Sequence, residues 1–140
     1  MRGTEALLTM LEERGVDTIF GYPGGSVLSI YNELLDSDIR HVLVRHEQCA
    51  AHMADGYARA KNVPGVCLAT SGPGTTNLVT GIATAYADSV PLIALTGQVA
   101  AGSLGQGAFQ EVDAYSLLMP ITKHNFRVLD VNRLPHAITE

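Results

Sequence analysis

The sequence is poor in cysteine, in charged residues and in long apolar runs, and each shortage excludes a class of protein. Only two cysteines, Cys49 and Cys67, occur among 140 residues, and neither fits a CxxC or zinc-binding spacing. We expect both to be small buried residues in a reducing cytoplasm. No apolar run approaches the roughly 18 residues that a membrane-spanning helix needs. The N-terminus also lacks the apolar stretch of a signal peptide.

The balance of charge excludes two further classes. Apolar residues make up 46% of the chain and charged residues 16%, which is too apolar for a disordered chain and fits a well-buried core. The net charge is −5 and no cluster of lysine and arginine interrupts it, so a general nucleic-acid binder is not expected. The length suggests a single domain.

What the sequence does contain is a regular alternation of helical and strand patterns. Such alternation predicts an α/β fold, a doubly wound parallel sheet flanked by helices. Strand patterns are predicted at Thr18–Phe20, His41–Val44, Gly65–Ala69 and Pro91–Thr96. Helical patterns are predicted from Thr4 to the glycine at position 15, and at Val27–Leu35, Gln48–Ala60, Asn77–Tyr86 and Val112–Leu118.

The expected ends of several elements depend on single polar residues. Thr4, Ser26 and Asn132 are residue types that cap helices, and we expect each to do so. The apolar run Pro91–Thr96 is expected to be covered on both faces. We also expect a strand within Ile121–Val128. A helix that begins near the proline at position 135 has room for about one turn, so the domain spanning 1–140 is expected to be incomplete at its C-terminus.

An acid and a glycine-rich turn follow two successive strands. Glu47 lies in Arg45–Gln48, where the second strand gives way to a helix, and the turn Thr70–Asn77 follows the third strand. In a parallel sheet both positions lie at the edge where ligands bind. Glycines allow a backbone to approach a flat ligand, and a carboxylate in a partly dry cleft can exchange protons near neutral pH. Alone, the acid could equally be a helix N-terminal charge, and the turn a tight connection or a phosphate site.

Seven segments together resemble one family. Their order and spacing are similar to those of the N-terminal, pyrimidine-binding domain of thiamine-diphosphate enzymes, above all of acetolactate synthase large subunits. The segments are Phe20–Gly25, Arg45–Gln48, His52–Ala60, Thr70–Gly74, Asp88–Pro91, Thr96–Val99 and Ala108–Glu111. The resemblance covers nearly the whole chain.

The resemblance implies a role for individual residues. Glu47 corresponds to the glutamate that shares a proton with a ring nitrogen of the pyrimidine, and this gives it a catalytic role. Phe109 and Gln110 correspond to residues that face the reacting end of the cofactor, and they complete the implied catalytic set. The residues implied to bind the cofactor are Tyr22, Gly25, Glu47, Thr70, Pro73 and Asn77. No metal ligand is implied within the chain.

The resemblance also implies a reaction and its partners. It implies condensation of two 2-keto acids, pyruvate among them, with decarboxylation, in branched-chain amino-acid biosynthesis. Thiamine diphosphate would be the cofactor, with Mg²⁺ and FAD bound mainly outside this segment. The implied partner is a second copy or a diphosphate-binding domain or subunit, and neither nucleic acid nor membrane is implied. The chain departs from the family at Gly105–Ala108, where members usually have Gly-Thr-Asp-Ala. It also lacks the Gly-Asp-Gly motif and the paired asparagine with which members bind the diphosphate and Mg²⁺; the only similar string is Ala54–Gly56, in a predicted helix.

Three other interpretations stay open from the sequence. The chain could belong to another thiamine-diphosphate decarboxylase or oxidase of 2-keto acids, or be a non-catalytic dimerisation or regulatory homologue. It could also be a small subunit that pairs with a diphosphate-binding one. In each catalytic case we expect the helix Gln48–Ala60 to lie at a subunit interface, with Ala51 and Ala54 against the partner.

Overall fold

The computed structural model describes residues 2–140, and its centre is a sheet of four parallel strands. Their order across the sheet is β2-β1-β3-β4, and every neighbouring pair is parallel. The predicted α/β fold with a parallel sheet is therefore confirmed. The strands are β1 at Thr18–Gly21, β2 at Arg40–Leu43, β3 at Gly65–Ala69 and β4 at Leu92–Thr96.

Helices cover both faces of this sheet and enclose two apolar cores. Side chains alternate along β1, so Ile19 joins the core under one set of helices and Phe20 the core under the other. Helices α1, α2 and α7 contribute to the first core, and α3 and α5 to the second. The helices are α1 at Gly3–Glu13, α2 at Leu28–Leu34, α3 at Glu47–Lys61, α4 at Pro73–Asn77, α5 at Val79–Ala87, α6 at Ala114–Leu118 and α7 at Leu134–Thr139.

Small residues let α3 lie unusually close to its neighbours. A Cβ built on Gly81 of α5 would lie 2.3 Å from the Cβ of Ala51, and one built on Gly65 would lie 2.0 Å from the carbonyl oxygen of Ala54. Both alanines have 0% of their surface exposed. The expectation that Ala51 and Ala54 face a partner is therefore wrong, because they pack inside this chain.

An interface on α3 would have to use a different face of the helix. Cys49, Met53, Gly56 and Ala60 are exposed and recur at the spacing of one helical face. That α3 meets a partner stays a prediction, and this face is the one that would do so.

The three predicted helix caps are wrong, because each side chain has another partner. Thr4 lies inside α1, which begins one residue earlier, and its hydroxyl donates to Glu33. Ser26 lies in a 3₁₀ turn before α2 and bonds to the end of β3. The amide of Asn132 donates to Asp130, and it is Asp130 that caps the turn before α7.

The strand predicted within Ile121–Val128 is not formed. Residues 122–130 form no regular element, and side chains bond them to α6 instead of to the sheet. The hydroxyl of Thr122 donates to the carbonyl of Leu118, and the amide of Asn125 donates to that of Tyr115. The short α7 is held by packing on α1, where Leu134 and Ile138 join the core beneath that helix.

Two expectations about burial are wrong in part. Cys67 is fully buried, and burial raises the pKa of its thiol to about 12, but Cys49 is exposed on α3. β4 lies at the edge of the sheet and pairs only with β3, so Ile93 is 36% exposed. Within residues 2–140, no helix combines the length and apolar character that crossing a bilayer requires.

Asp17 joins the start of β1 to the end of α3. Its carboxylate accepts hydrogen bonds from the hydroxyl of Tyr57 and from the ammonium of Lys61, the latter at 2.9 Å. The bond from Tyr57, followed by that from Lys61, lowers the pKa of Asp17 from 3.8 to about 2. The ionised form is therefore favoured by folding.

We expect Gly81→Ala to destabilise the protein by about 1–3 kcal/mol, because the new methyl group overlaps Ala51 and the helices must separate. Gly56→Ala is the matched control, since a Cβ at Gly56 meets nothing within 4 Å and alanine favours the helix. Urea unfolding followed by circular dichroism measures both. Equal midpoints for the two variants would contradict the close packing of α3 on α5.

We expect the stabilising effect of Asp17 to depend on pH in one direction. A depressed pKa means that the contribution is fully present above the unfolded value of 3.8 and is lost as the pH falls towards about 2. Asp17→Asn should therefore unfold at lower urea than the wild type at pH 6, and this difference should close between pH 4 and pH 2. A difference that stays constant over that range would refute the assignment.

Candidate active site

The order of the strands places a crevice at the carboxyl ends of β1 and β3. These two strands are neighbours, but the chain leaves β1 towards β2 on one side and leaves β3 towards β4 on the other. In open α/β sheets, ligands bind where the direction of the connections reverses in this way. The loops that border this crevice are 22–25 and 70–74, which contain most of the predicted binding residues.

Glu47 lies at the first turn of α3, and Asn77 at the end of α4 fixes its carboxylate. The side-chain amide of Asn77 donates to Oε2 of Glu47 at 2.9 Å. Among residues 2–140, no hydrogen-bond donor is bonded to Oε1, the other oxygen. Glu47 is partly buried, so one of its oxygens is held and the other remains available at the edge of the site.

The floor of the crevice is built from glycines that leave no room for a side chain. A Cβ on Gly24 would lie 2.5 Å from the Cβ of Thr70, and one on Gly74 would lie 2.8 Å from the γ-methyl of Thr70. The same position on Gly74 lies 3.5 Å from Oε1 of Glu47. The glycine turn, Thr70 and the free carboxylate oxygen therefore meet in one place.

A group of hydroxyls, which the sequence analysis missed, joins the loops after β1 and β3. The Oγ of Ser26 lies 2.9 Å from Oγ1 of Thr70 and accepts from the backbone amide of Ser71, also at 2.9 Å. The hydroxyl of Thr75 donates to the carbonyl of Thr70. Thr70, Ser71 and Thr75 are buried. The signal in the sequence is the position of Ser26 directly after two glycines, but that pattern predicts a helix cap and not a bond to Thr70.

The backbone of Gln110 contacts the glycine turn, whereas the side chain of Phe109 is exposed. A Cβ on Gly72 would lie 2.6 Å from the carbonyl oxygen of Gln110, so this backbone rests directly on the turn. Gln110 itself has φ 58°, which is costly for a residue other than glycine and marks a constrained position. The side chain of Phe109 is 88% exposed and points away from the cores.

The remaining predicted residues lie on the rim of the crevice. Tyr22 is 42% exposed, and its backbone amide donates to the carbonyl of Leu68 at 3.3 Å, which fixes it beside the end of β3. Gly25 and Pro73 are exposed, and a Cβ on Gly25 would meet nothing within 4 Å. The rim of the site is thus exposed to solvent, whereas its floor is closely packed.

A buried tyrosine–histidine pair lies beside the end of β1. The hydroxyl of Tyr31 lies 3.1 Å from Nε2 of His41, and the two rings meet edge to face. Burial, and then the negative charge of Glu47, raise the pKa of Tyr31, while burial lowers the pKa of His41. This pair is therefore neutral near pH 7, and its hydroxyl lies over Gly21 at the end of β1.

Two cavities lie elsewhere on the chain. One of about 270 Å³ is lined by residues between Tyr115 and Ala137, and one of about 340 Å³ lies between α1 and α2. Neither is lined by a predicted site residue. In the part of the chain that the structure describes, no group of three histidine, cysteine, aspartate or glutamate side chains is arranged to hold a metal ion.

A family model and several known proteins match most or all of this chain. Residues 1–117 match the family model described as the N-terminal TPP binding domain of thiamine pyrophosphate enzymes. The chain is 62% identical over 137 residues to a probable acetolactate synthase large subunit of Methanocaldococcus jannaschii, covering 98% of this chain and 23% of that protein. It is 55% identical over 141 residues to the acetolactate synthase large subunit of Corynebacterium glutamicum, covering 100% and 22%.

A third relative extends the range of the similarity. The large subunit of acetolactate synthase isozyme 2 of Escherichia coli is 50% identical over 140 residues, covering 100% of this chain and 26% of that protein. The chain thus spans about a quarter of the length of the relatives it matches. The family match covers most of the chain, including both loops of the crevice and Glu47, and the chain belongs to the thiamine pyrophosphate enzymes, as their N-terminal TPP binding domain.

Proposed function

We propose that this chain is the pyrimidine-binding part of a thiamine-diphosphate-dependent acetolactate synthase, which condenses two 2-keto acids with decarboxylation in branched-chain amino-acid biosynthesis. The observation that carries the proposal is the carboxylate of Glu47, held by Asn77 through one oxygen and open at the other, beside a glycine floor. The large-subunit names of relatives that are 50–62% identical favour this reaction over other thiamine-diphosphate chemistry.

The residues present fit the pyrimidine ring of the cofactor. Gly24 and Gly74 lack side chains and pack closely on Thr70, so their backbone would lie beneath a flat ring, and Glu47 would place a carboxyl group at the edge of that ring. In this proposal Tyr22, Gly25, Glu47, Thr70, Pro73 and Asn77 hold the ring. When bound, thiamine diphosphate supplies the electron sink for decarboxylation of a 2-keto acid.

Glu47 then acts by moving a proton at Oε1. This oxygen lies at the edge of the crevice, where a ring nitrogen can share a proton with it, while Asn77 keeps the carboxylate from rotating. A positioned acid–base group of this kind contributes about 10²–10⁴-fold to a rate. Phe109 and Gln110 are proposed to face the reacting end of the cofactor, and the backbone of Gln110 already rests on Gly72.

The rest of the cofactor site is proposed to come from outside these residues. In this proposal Mg²⁺, the diphosphate and FAD are held mainly outside these residues, by a separate domain or by a partner subunit, as the family resemblance implies. A second copy of the protein could provide that half, with the exposed face of α3 as its contact. The substrate would be a 2-keto acid such as pyruvate, and the site of action the cytoplasm.

A chimera with a longer relative tests the proposal. This chain would replace the matched 141 residues of the Corynebacterium glutamicum large subunit, and acetolactate formed from pyruvate would be measured. Activity within about 10-fold of the parent is expected, while the 140-residue chain alone should form none. A folded chimera that binds the cofactor but forms no acetolactate would favour a non-catalytic homologue. Formation of a different product would favour another decarboxylase or oxidase.

In this chimera, Glu47→Gln should lower kcat by about 10²–10⁴-fold, because the amide cannot exchange a proton with the ring nitrogen. Glu13→Gln, at an exposed acid of α1, is the matched control and should leave kcat unchanged. Exchange of the C2 hydrogen of the bound cofactor for deuterium, followed by quenched NMR, isolates the proton-transfer step. An unchanged exchange rate in the Glu47→Gln chimera would refute the role of this residue.

Replacing Asn77 should have a smaller effect in the same direction. Asn77→Leu keeps the approximate size but removes the donor that fixes Oε2 of Glu47. A hydrogen bond to a charged group is worth about 1.5–3 kcal/mol, so kcat/KM should fall by about 10- to 100-fold. Combining it with Glu47→Gln should add little further loss, since the two residues act as a unit. Fully additive losses would show that Asn77 acts independently.

A further inference from the structure

The carboxylate of Glu111 organises the glycine-rich segment that leads to Phe109 and Gln110. Its Oε1 accepts from the backbone amide of Gly105 and its Oε2 accepts from that of Ala108, at 3.0 Å. The backbone amide of Glu111 in turn donates to the carbonyl of Ala108 at 2.9 Å. These bonds close a compact turn in which both carboxylate oxygens are used.

Two contacts join this turn to the rest of the site. After Glu111, the carbonyl of Val112 accepts from the side-chain amide of Gln98 at 2.8 Å, which joins the segment to the end of β4. At its tip, the carbonyl of Gln110 lies against Gly72 of the glycine turn. Because Gln110 has φ 58°, its backbone would relax to a commoner conformation if the turn did not hold it.

The segment also contains two glycines with positive φ. Gly105 and Gly107 have φ 77° and 69°, conformations that glycine adopts readily, and the backbone amide of Gly105 donates to Glu111. A carboxylate is the side chain best suited to accept from several amides at once. These amides, with Gly105 first and Ala108 next, lower the pKa of Glu111, in keeping with an ionised side chain.

We propose that Glu111 is a positioning residue, whose carboxylate fixes the segment that carries Phe109 and Gln110 through the amides of Gly105 and Ala108, and so keeps Gln110 against the glycine turn. Glu111 does not itself touch the reacting atoms. The structural part of the inference stands on the hydrogen bonds alone, and its effect on catalysis rests on the proposed function.

The substitution Glu111→Gln leaves only one of the two acceptor oxygens of this side chain. Glutamine has nearly the same shape but only one acceptor oxygen, so its amino group must face either the amide of Gly105 or that of Ala108. One backbone amide therefore loses its partner while the size of the side chain is unchanged. Glu13→Gln removes the same charge from α1 and serves as the control.

The structural test is amide hydrogen exchange, measured by NMR on the 140-residue chain. In Glu111→Gln, at least one of the amides of Gly105 and Ala108 should exchange about 10-fold faster, the equivalent of one lost bond to a charged group. The amides of β3 report whether the variant is folded, and they should be unchanged. If Gly105 and Ala108 exchange as in the wild type while β3 is intact, the proposal is overturned.

The catalytic test uses the acetolactate synthase chimera. Misplacing Phe109 and Gln110 should lower kcat/KM for pyruvate by about 10- to 100-fold in Glu111→Gln, with the affinity for thiamine diphosphate unchanged. An equal loss of cofactor affinity would instead indicate a general structural role and would overturn the positioning assignment. If the unsubstituted chimera is inactive, the proposed function fails, and the exchange experiment alone then decides whether Glu111 holds the turn.

Discussion

The position of Glu47 depends on how closely α3 can approach the sheet and α5. At two points along this helix, Gly81 opposite Ala51 and Gly65 opposite Ala54, there is no space for a further carbon atom. These contacts fix α3 in distance and rotation. Since Glu47 is the first residue of α3, its carboxylate is placed within reach of Asn77, 30 residues further along the chain. Buried alanines and glycines thus determine the position of a carboxylate that none of them contacts.

The site is held from several directions, so no single loop determines it. Ser26 bonds the loop after β1 to Thr70 at the end of β3, and Gln110 rests on the turn that begins there. Preorganisation of this kind reduces the entropy lost when a ligand binds. It also explains why the floor of the crevice is buried while its rim, with Tyr22 and Phe109, is exposed: the floor is completed by the fold, and the rim has room for another surface.

The fold was predictable because its signals repeat. The range of β3 was predicted to the residue, and β1, β2 and β4 to within one, since apolar runs bounded by glycine and polar residues are distinctive in a parallel sheet. Glu47 could be singled out because it lies where a strand pattern gives way to a helical pattern. The family resemblance supplied its role, which stays a prediction together with those of Tyr22, Thr70 and Gln110.

Single polar residues were not predictable, because a side chain such as Ser26 or Thr4 has several possible partners and only the packed structure selects one. The strand expected within Ile121–Val128 failed for the same reason, since the side chains of Thr122 and Asn125 bond that segment to α6. The hydrogen bonds of Glu111 were not predictable, because its partners are backbone amides, and these are present in every sequence. The burial of Ala51 and Ala54 was likewise hidden, since alanine-rich faces suit contacts within a chain and between chains equally well.

The two adjacent glycines of the first loop illustrate how differently neighbouring positions can be constrained. At Gly24 any side chain would collide with Thr70, so this glycine is required by the fold itself. At Gly25 the same substitution would project into open space, and folding is sterically indifferent to it. The packing of this chain therefore leaves position 25 free to vary, whereas position 24 is constrained by the architecture itself.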